Sequence, residues 1–175
     1  MARNGPPKGR HGIVSRESTG YRVLHFLNFG VGKPTEFVLL LVEDNPDDVL
    51  FLRRALRKGG HSLRLEVVQN GEEAIAYLSG QGTYVDRRRH PLPTHVLLDL
   101  KLPKISGFEV LAWMRSRPEF ASIPVSILSS SPQTADIDRA RALGADCYLT
   151  KPISFEQLVP LVNRIVEWME TRRCA

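Results

Sequence analysis

The sequence predicts an α/β fold: a doubly wound, five-stranded parallel sheet with helices on both faces. Three observations carry this expectation. Five short strand-like segments alternate with five helical ones, an order that right-handed crossovers turn into a parallel sheet. The first run, Phe37 to Val42, is apolar without interruption, as a central strand covered on both faces requires. The last helical stretch places Phe155, Leu158, Val159, Val162, Ile165, Val166 and Met169 on a single stripe.

Each element has a local reason. The first strand ends in Glu43 and Asp44. Asn45 then caps a helix, with Pro46 at its first position and Asp47 and Asp48 in its electropositive first turn. Val49, Leu52 and Leu56 form its buried stripe, and Lys58-Gly59-Gly60 stops it. Leu63 to Val68 is the second strand. Asn70 and Glu73 have capping-box spacing and open a helix continued by Ala74, Ile75 and Leu78. Gly80 to Pro93 is long for a loop in a compact domain, which signals function or insertion. Its Arg87-Arg88-Arg89 run reads as a solvated loop in preference to a docking patch.

Val96 to Leu98 is the third strand, with Asp99 at its carboxyl end. After Pro103, Gly107 precedes a short helix carrying Phe108, Leu111 and Met114, which Pro118 breaks. Pro124 to Leu128 is the fourth strand and runs into Ser129-Ser130-Ser131. Pro132 to Leu143 reads as a helix of mixed polarity closed by Gly144. Asp146 to Leu149 is the fifth strand, followed by Thr150-Lys151-Pro152. Pro160 lies inside the last helical stripe and removes one hydrogen bond, so a kink or a late start is expected there.

The chain has 175 residues, enough for one domain and a tail. The net charge of +5 is misleading until it is located. Residues 1–35 carry six basic side chains against Glu17 alone, and the remainder balances at eighteen basic and eighteen acidic. The high pI therefore belongs to a basic N-terminal extension, residues 1–35, whose first twenty are expected to be disordered. A transit peptide is the minor reading of that leader. The folded domain, residues 36–172, gives no electrostatic argument for a nucleic acid partner. Cys147 reads as a buried free thiol and Cys174 as an exposed one. No spacing suggests zinc or disulfides, and no run is apolar enough to span a bilayer. The expectation is a cytoplasmic protein with no membrane partner and no output domain after the last helix.

In the flavodoxin-like strand order 2-1-3-4-5 the first and third strands lie side by side at the switch point, where ligands collect. The carboxyl ends then deliver Glu43 and Asp44, Asp99, Ser129 and Lys151 to one pocket. Three crowded carboxylates need either a proton or a cation among them. Hard oxygen ligands suit Mg²⁺, or Mn²⁺ in its place. Lys151 and the Ser129 hydroxyl could each meet a phosphoryl oxygen, and Asp99 could attack phosphorus to give an aspartyl phosphate. Each residue alone has a duller role as a cap or turn residue. The five together, each at a strand end, favour the chemistry.

These residues resemble the receiver domain of two-component response regulators. The likeness rests on Leu40-Leu41-Val42-Glu43-Asp44-Asn45, on Leu97-Leu98-Asp99-Leu100-Lys101-Leu102-Pro103 with Gly107, on Ser129 and on Lys151-Pro152. It implies that Asp99 accepts a phosphoryl group from a sensor histidine kinase. It implies Mg²⁺ held by Asp44, Glu43, Asp99 and the Lys101 backbone carbonyl. It implies a switch pair, Ser129 and Tyr148, and a cis bond before Pro152. The loop Gly80–Pro93 and the wording of Thr94–Pro103 resemble stand-alone regulators associated with bacterial phytochromes. A phosphorylation-linked homodimer through the face of helix 4, strand 5 and helix 5 is expected, with Trp168 either an anchor there or a cover for the core edge. Lys101, two residues after the phosphoacceptor, is expected to influence phosphoryl lifetime. The other readings are a degenerate receiver acting as a scaffold, an aspartate-nucleophile phosphatase of the haloacid dehalogenase type, which wants an acid where Lys101 stands, and DNA binding by the leader.

Overall fold

The computed structural model describes Ile13–Val14, Leu24–His25 and residues 37–171. Five strands run parallel: β1 (Val38–Val42), β2 (Arg64–Val68), β3 (His95–Leu98), β4 (Val125–Ser129) and β5 (Cys147–Thr150). Their order is β2-β1-β3-β4-β5, as the sequence predicts. The helices are α1 (Pro46–Lys58), α2 (Gly71–Ser79), α3 (Gly107–Arg115), α4 (Thr134–Ala142) and α5 (Phe155–Thr171). A single helical turn, Pro118–Ala121, follows α3. Pro118 thus starts a turn of its own as well as ending the preceding stretch.

The sheet carries two additions that the sequence reading does not contain. Leu24–His25 pairs antiparallel with the outer edge of β5, opposite Tyr148 and Cys147, and Ile13–Val14 pairs with Leu24–His25. The rest of the expected disordered leader, and the exposure expected at Cys174, lie outside the described residues.

Side-chain parity on the strands separates two apolar layers. Leu40, Val42, Val96, Leu98, Val125, Ile127 and Tyr148 pack with α2, α3 and α4. Leu39, Leu41, Leu97, Leu128, Cys147 and Leu149 pack with α1 and α5. Burial pushes the Cys147 thiol up to about 12, so it stays protonated and inert. Trp168 sets its ring edge-on to buried His95 at 4.9 Å, which resolves its two readings in favour of the core edge.

Local details differ from the sequence reading in instructive ways. Asn70 Oδ1 accepts from Glu73 N–H at 2.9 Å, but Glu73 reaches back to Gln69 N–H and leaves the box half made. The complete capping box is at α3, between Ser106 and Glu109. α5 begins at Phe155 and continues through Pro160, so the late start is not found. The long loop is built around a 3₁₀ turn, Gly82–Tyr84, and an aromatic cluster of Tyr77, Tyr84 and His90. Arg87 turns inward and donates to the carbonyls of Tyr77 and Leu78 at 2.7 and 2.6 Å, capping α2. Arg88 and Arg89 face solvent.

At the end of the sheet remote from the strand tips, Arg115 ties α3 to its neighbours. It donates to Gly144 O, Ile123 O and Asp146 Oδ2 at 2.9, 3.0 and 2.9 Å, while Val125 N–H also donates to Asp146 Oδ2 at 2.8 Å. Removing the guanidinium strips the buried Asp146 carboxylate of this ion pair and leaves the Gly144 and Ile123 carbonyls without its donors. Arg115→Ala should lower unfolding free energy by about 3 kcal/mol, read from the urea midpoint at constant slope.

Candidate functional site

The strand register levels the tips that carry the site. Val42 lies opposite Leu98, and Asp99 N–H donates to Val42 O at 3.1 Å. Glu43 N–H donates to Val68 O at 3.0 Å, and Lys151 N–H to Ser129 O at 2.8 Å. Acids leaving β1 and β3 therefore emerge side by side, with the lysine one strand beyond Ser129.

Two glycines and an ion pair hold the loop that follows Asp99. A Cβ on Gly107 would stand 2.0 Å from Asp99 O, so only glycine lets α3 begin this close to the β3 tip. A Cβ on Gly71 would stand 2.2 Å from Ile105 O, which seats the loop on α2. Lys104 adopts a left-handed φ of 67° and reaches Glu72 at 2.8 Å.

One carboxylate oxygen from each of Glu43, Asp44 and Asp99 lies within 4.8 Å of the others. Glu43 and Asp99 are buried and Asp44 is exposed. Lys151 Nζ sits over this group, 2.6 Å from Glu43 Oε2, 2.9 Å from Asp99 Oδ2 and 2.8 Å from Asp48 Oδ2. Burial acts to lower the lysine pKa, but hydrogen bonds to Asp48, Asp99 and Glu43 outweigh it and hold the ammonium above its ordinary value. Glu43 is pushed up by burial, opposed by Lys151 and reinforced by the Asp99 charge.

The other expected residues surround this core. Lys101 N–H donates to Asp99 Oδ1 at 3.2 Å, which brings that stretch of backbone to the acids, while the Lys101 side chain is exposed. Ser129 is fully buried, and its Oγ accepts from Ser131 N–H at 3.3 Å. The Tyr148 ring is buried, with its hydroxyl donating to Ser131 O at 2.8 Å. Burial raises the Tyr148 phenol, against hydrogen bonding with Ser129. The cis bond expected at Lys151–Pro152 is absent, since no described peptide bond is cis. Trans is the favoured isomer even before proline, and from it Lys151 already reaches all three carboxylates.

Asp48 is the residue that sequence reasoning misplaces. It reads as a helix-end charge, yet its carboxylate reaches the strand-tip lysine. The available signal was its place in the first turn of the helix that leaves the acid-bearing end of β1.

The donor set fits a hard divalent cation. Three carboxylates converge, and Asp44 has no ion-pair partner among the described residues. Beside the lysine a cleft of about 140 Å³ opens between α1 and the segment after β5, walled by Phe51, Leu52, Leu128, Ile153 and Phe155.

The family profile described as response regulator receiver domain matches residues 39–163. The probable methanogenesis regulatory protein FilR2 of Methanothrix harundinacea is 38% identical over 135 residues, covering 75% of this chain and 83% of its own length. Response regulator Rcp1 of Synechocystis sp. is 36% identical over 135 residues, covering 77% of this chain and 90% of its own. A Mn²⁺-bound form of Rcp1 has been solved, and it superposes with a TM-score of 0.70 over 77% of this chain and 96% of its own. The phosphorylated cyanobacterial phytochrome response regulator RcpA superposes with a TM-score of 0.72 at 37% identity, covering 77% of this chain and 94% of its own. No described helix is long and apolar enough to cross a membrane. With the acids, the hydroxyl and the lysine standing at the tips of a sheet in this order, the chain belongs to the receiver domain family of response regulators, the signalling proteins that work with histidine kinases in two-component systems.

Proposed function

We propose that this response regulator accepts a phosphoryl group onto Asp99 from the phosphohistidine of a sensor kinase, and relays the signal through its α4–β5–α5 face. The observation that carries the reading is Asp99 Oδ2 held 2.9 Å from Lys151 Nζ, with oxygens of Glu43 and Asp44 within 4.8 Å of its carboxylate. An Asp99 oxygen attacks phosphorus in line. The new O–P bond forms as the P–N bond breaks, and the imidazole departs with the electron pair and takes up a proton. Glu43, Asp44, Asp99 and the Lys101 backbone carbonyl would hold Mg²⁺, or Mn²⁺. Bound there, the metal supplies neutralisation of phosphoryl charge. Lys151 donates to another phosphoryl oxygen, and the Ser129 hydroxyl to a third.

The kinase partner is supported by the apolar cleft beside Lys151, where Phe51 and Ile153 are exposed to meet an incoming helix. Likeness to Rcp1 and RcpA supports a bacterial phytochrome as that kinase. Ser129 and Tyr148 are the proposed switch, since both contact Ser131 in the segment that joins β4 to α4. We take residues 36–172 as the functional unit, a cytoplasmic one that turns over nothing but its own phosphoryl group. The outer edge of β5 already pairs with Leu24–His25, so a homodimer would be made by side chains of α4 and α5.

Intact mass after incubation with acetyl phosphate and Mg²⁺ should show one added phosphoryl group in wild type. It should show none in Asp99→Asn or after chelation of the metal. Lys101→Ala should change the rate of dephosphorylation several-fold, because an exposed cation two residues after the phosphoacceptor is within reach of water approaching Asp99; an identical decay would reject that role. Sedimentation should find the phosphorylated chain shifted towards dimer, and an unshifted distribution would remove the dimer from the reading.

A further inference from the structure

The three N–H donors of Lys151 are all committed to carboxylates: Glu43 Oε2 at 2.6 Å, Asp48 Oδ2 at 2.8 Å and Asp99 Oδ2 at 2.9 Å. An ammonium has no fourth donor. On the function proposed above, a phosphoryl oxygen arriving at Asp99 needs one of these donors, so one bond must give way. The three partners are not equally placed to release it. Side-chain exposure is 2% for Glu43 and 8% for Asp99, against 36% for Asp48. A buried carboxylate that loses the lysine gives up a charge-assisted bond that water cannot reach to replace, whereas water solvates Asp48 at once. The Asp99 contact also belongs to the nucleophile itself.

We infer that Asp48 is a positioning residue that acts through Lys151, occupying in the resting protein the ammonium donor that the phosphoryl group later takes. Asp48 is thus a stand-in for the phosphoryl oxygen, supplied from the first turn of α1. It keeps the lysine drawn over the acids, and its displacement is part of the cost of binding a phosphodonor. The inference rests on Asp99 being the phosphoacceptor, and it adds a residue on which phosphodonor affinity depends.

The full-length chain provides the test, with Asp48→Asn as the variant and Asp47→Asn as the control for loss of a neighbouring negative charge. Phosphorylation is followed against acetyl phosphate concentration at saturating Mg²⁺. Asp48→Asn should lower the half-saturating concentration by about two- to fivefold, the range for one partly exposed ion pair, with little change in limiting rate. Asp47→Asn should leave it in place. In the metal-free protein, the Lys151 ammonium resonance should shift and exchange faster in Asp48→Asn and stay unchanged in Asp47→Asn. An unmoved or raised half-saturation in Asp48→Asn overturns the inference, as does an equal fall in Asp47→Asn. Absence of any phosphoryl uptake by wild type would instead overturn the underlying reading.

Discussion

A single ammonium lets this sheet end in a crowd of carboxylates. β1 and β3 must be neighbours for the fold to exist, and each finishes in an acid that the register brings level. Glu43 and Asp99 are buried there, where like charges repel most strongly and water helps least. Lys151 answers both from one strand beyond Ser129, and its own burial is offset by the acids around it. Neither side of this arrangement would be tolerable alone. The site is therefore an ion cluster in which one ammonium is shared among Glu43, Asp48 and Asp99.

The surrounding structure spends its tightest contacts on keeping those tips in place. Gly107 lets α3 start against the Asp99 carbonyl, and Gly71 lets α2 seat the same loop from the other side. Behind them, the two apolar layers fix the sheet by strand parity, and the Arg115–Asp146 network ties α3 to the start of β5 at the opposite end. The chemistry sits on rigid strand ends and short pinned loops, while the longest loop is packed by its own aromatics and Arg87.

How much of this was legible depends on whether a residue's role is local. The uninterrupted apolar run at Phe37–Val42 and the short one at Val96–Leu98 marked β1 and β3, because covered parallel strands leave no polar alternation to misread, and β4 was legible despite Ser126. The acids, Ser129 and Lys151 were found because each follows such a run. Asp48 was hidden by a correct but incomplete explanation: it does sit in the first turn of α1, and only tertiary geometry brings it to Lys151. Arg87 was read with its neighbours as solvated, since nothing in a run of arginines says which one folds back on a helix end. Glu73 had a capping-box partner in sequence but found Gln69 instead, while Ser106 and Glu109 made the box unannounced. The short pairing of Leu24–His25 with β5 had no signature, because two residues are too few to show a period.

Adjacent residues of β5 point into different halves of the molecule: Cys147 into the layer under α1 and α5, Tyr148 into the layer under α4. A reorientation of the Tyr148 ring would therefore loosen α4 while leaving the α1 side, with its apolar cleft, as it was. α5 remains common to both sides, because its Phe155 walls the cleft while its buried stripe packs on β5.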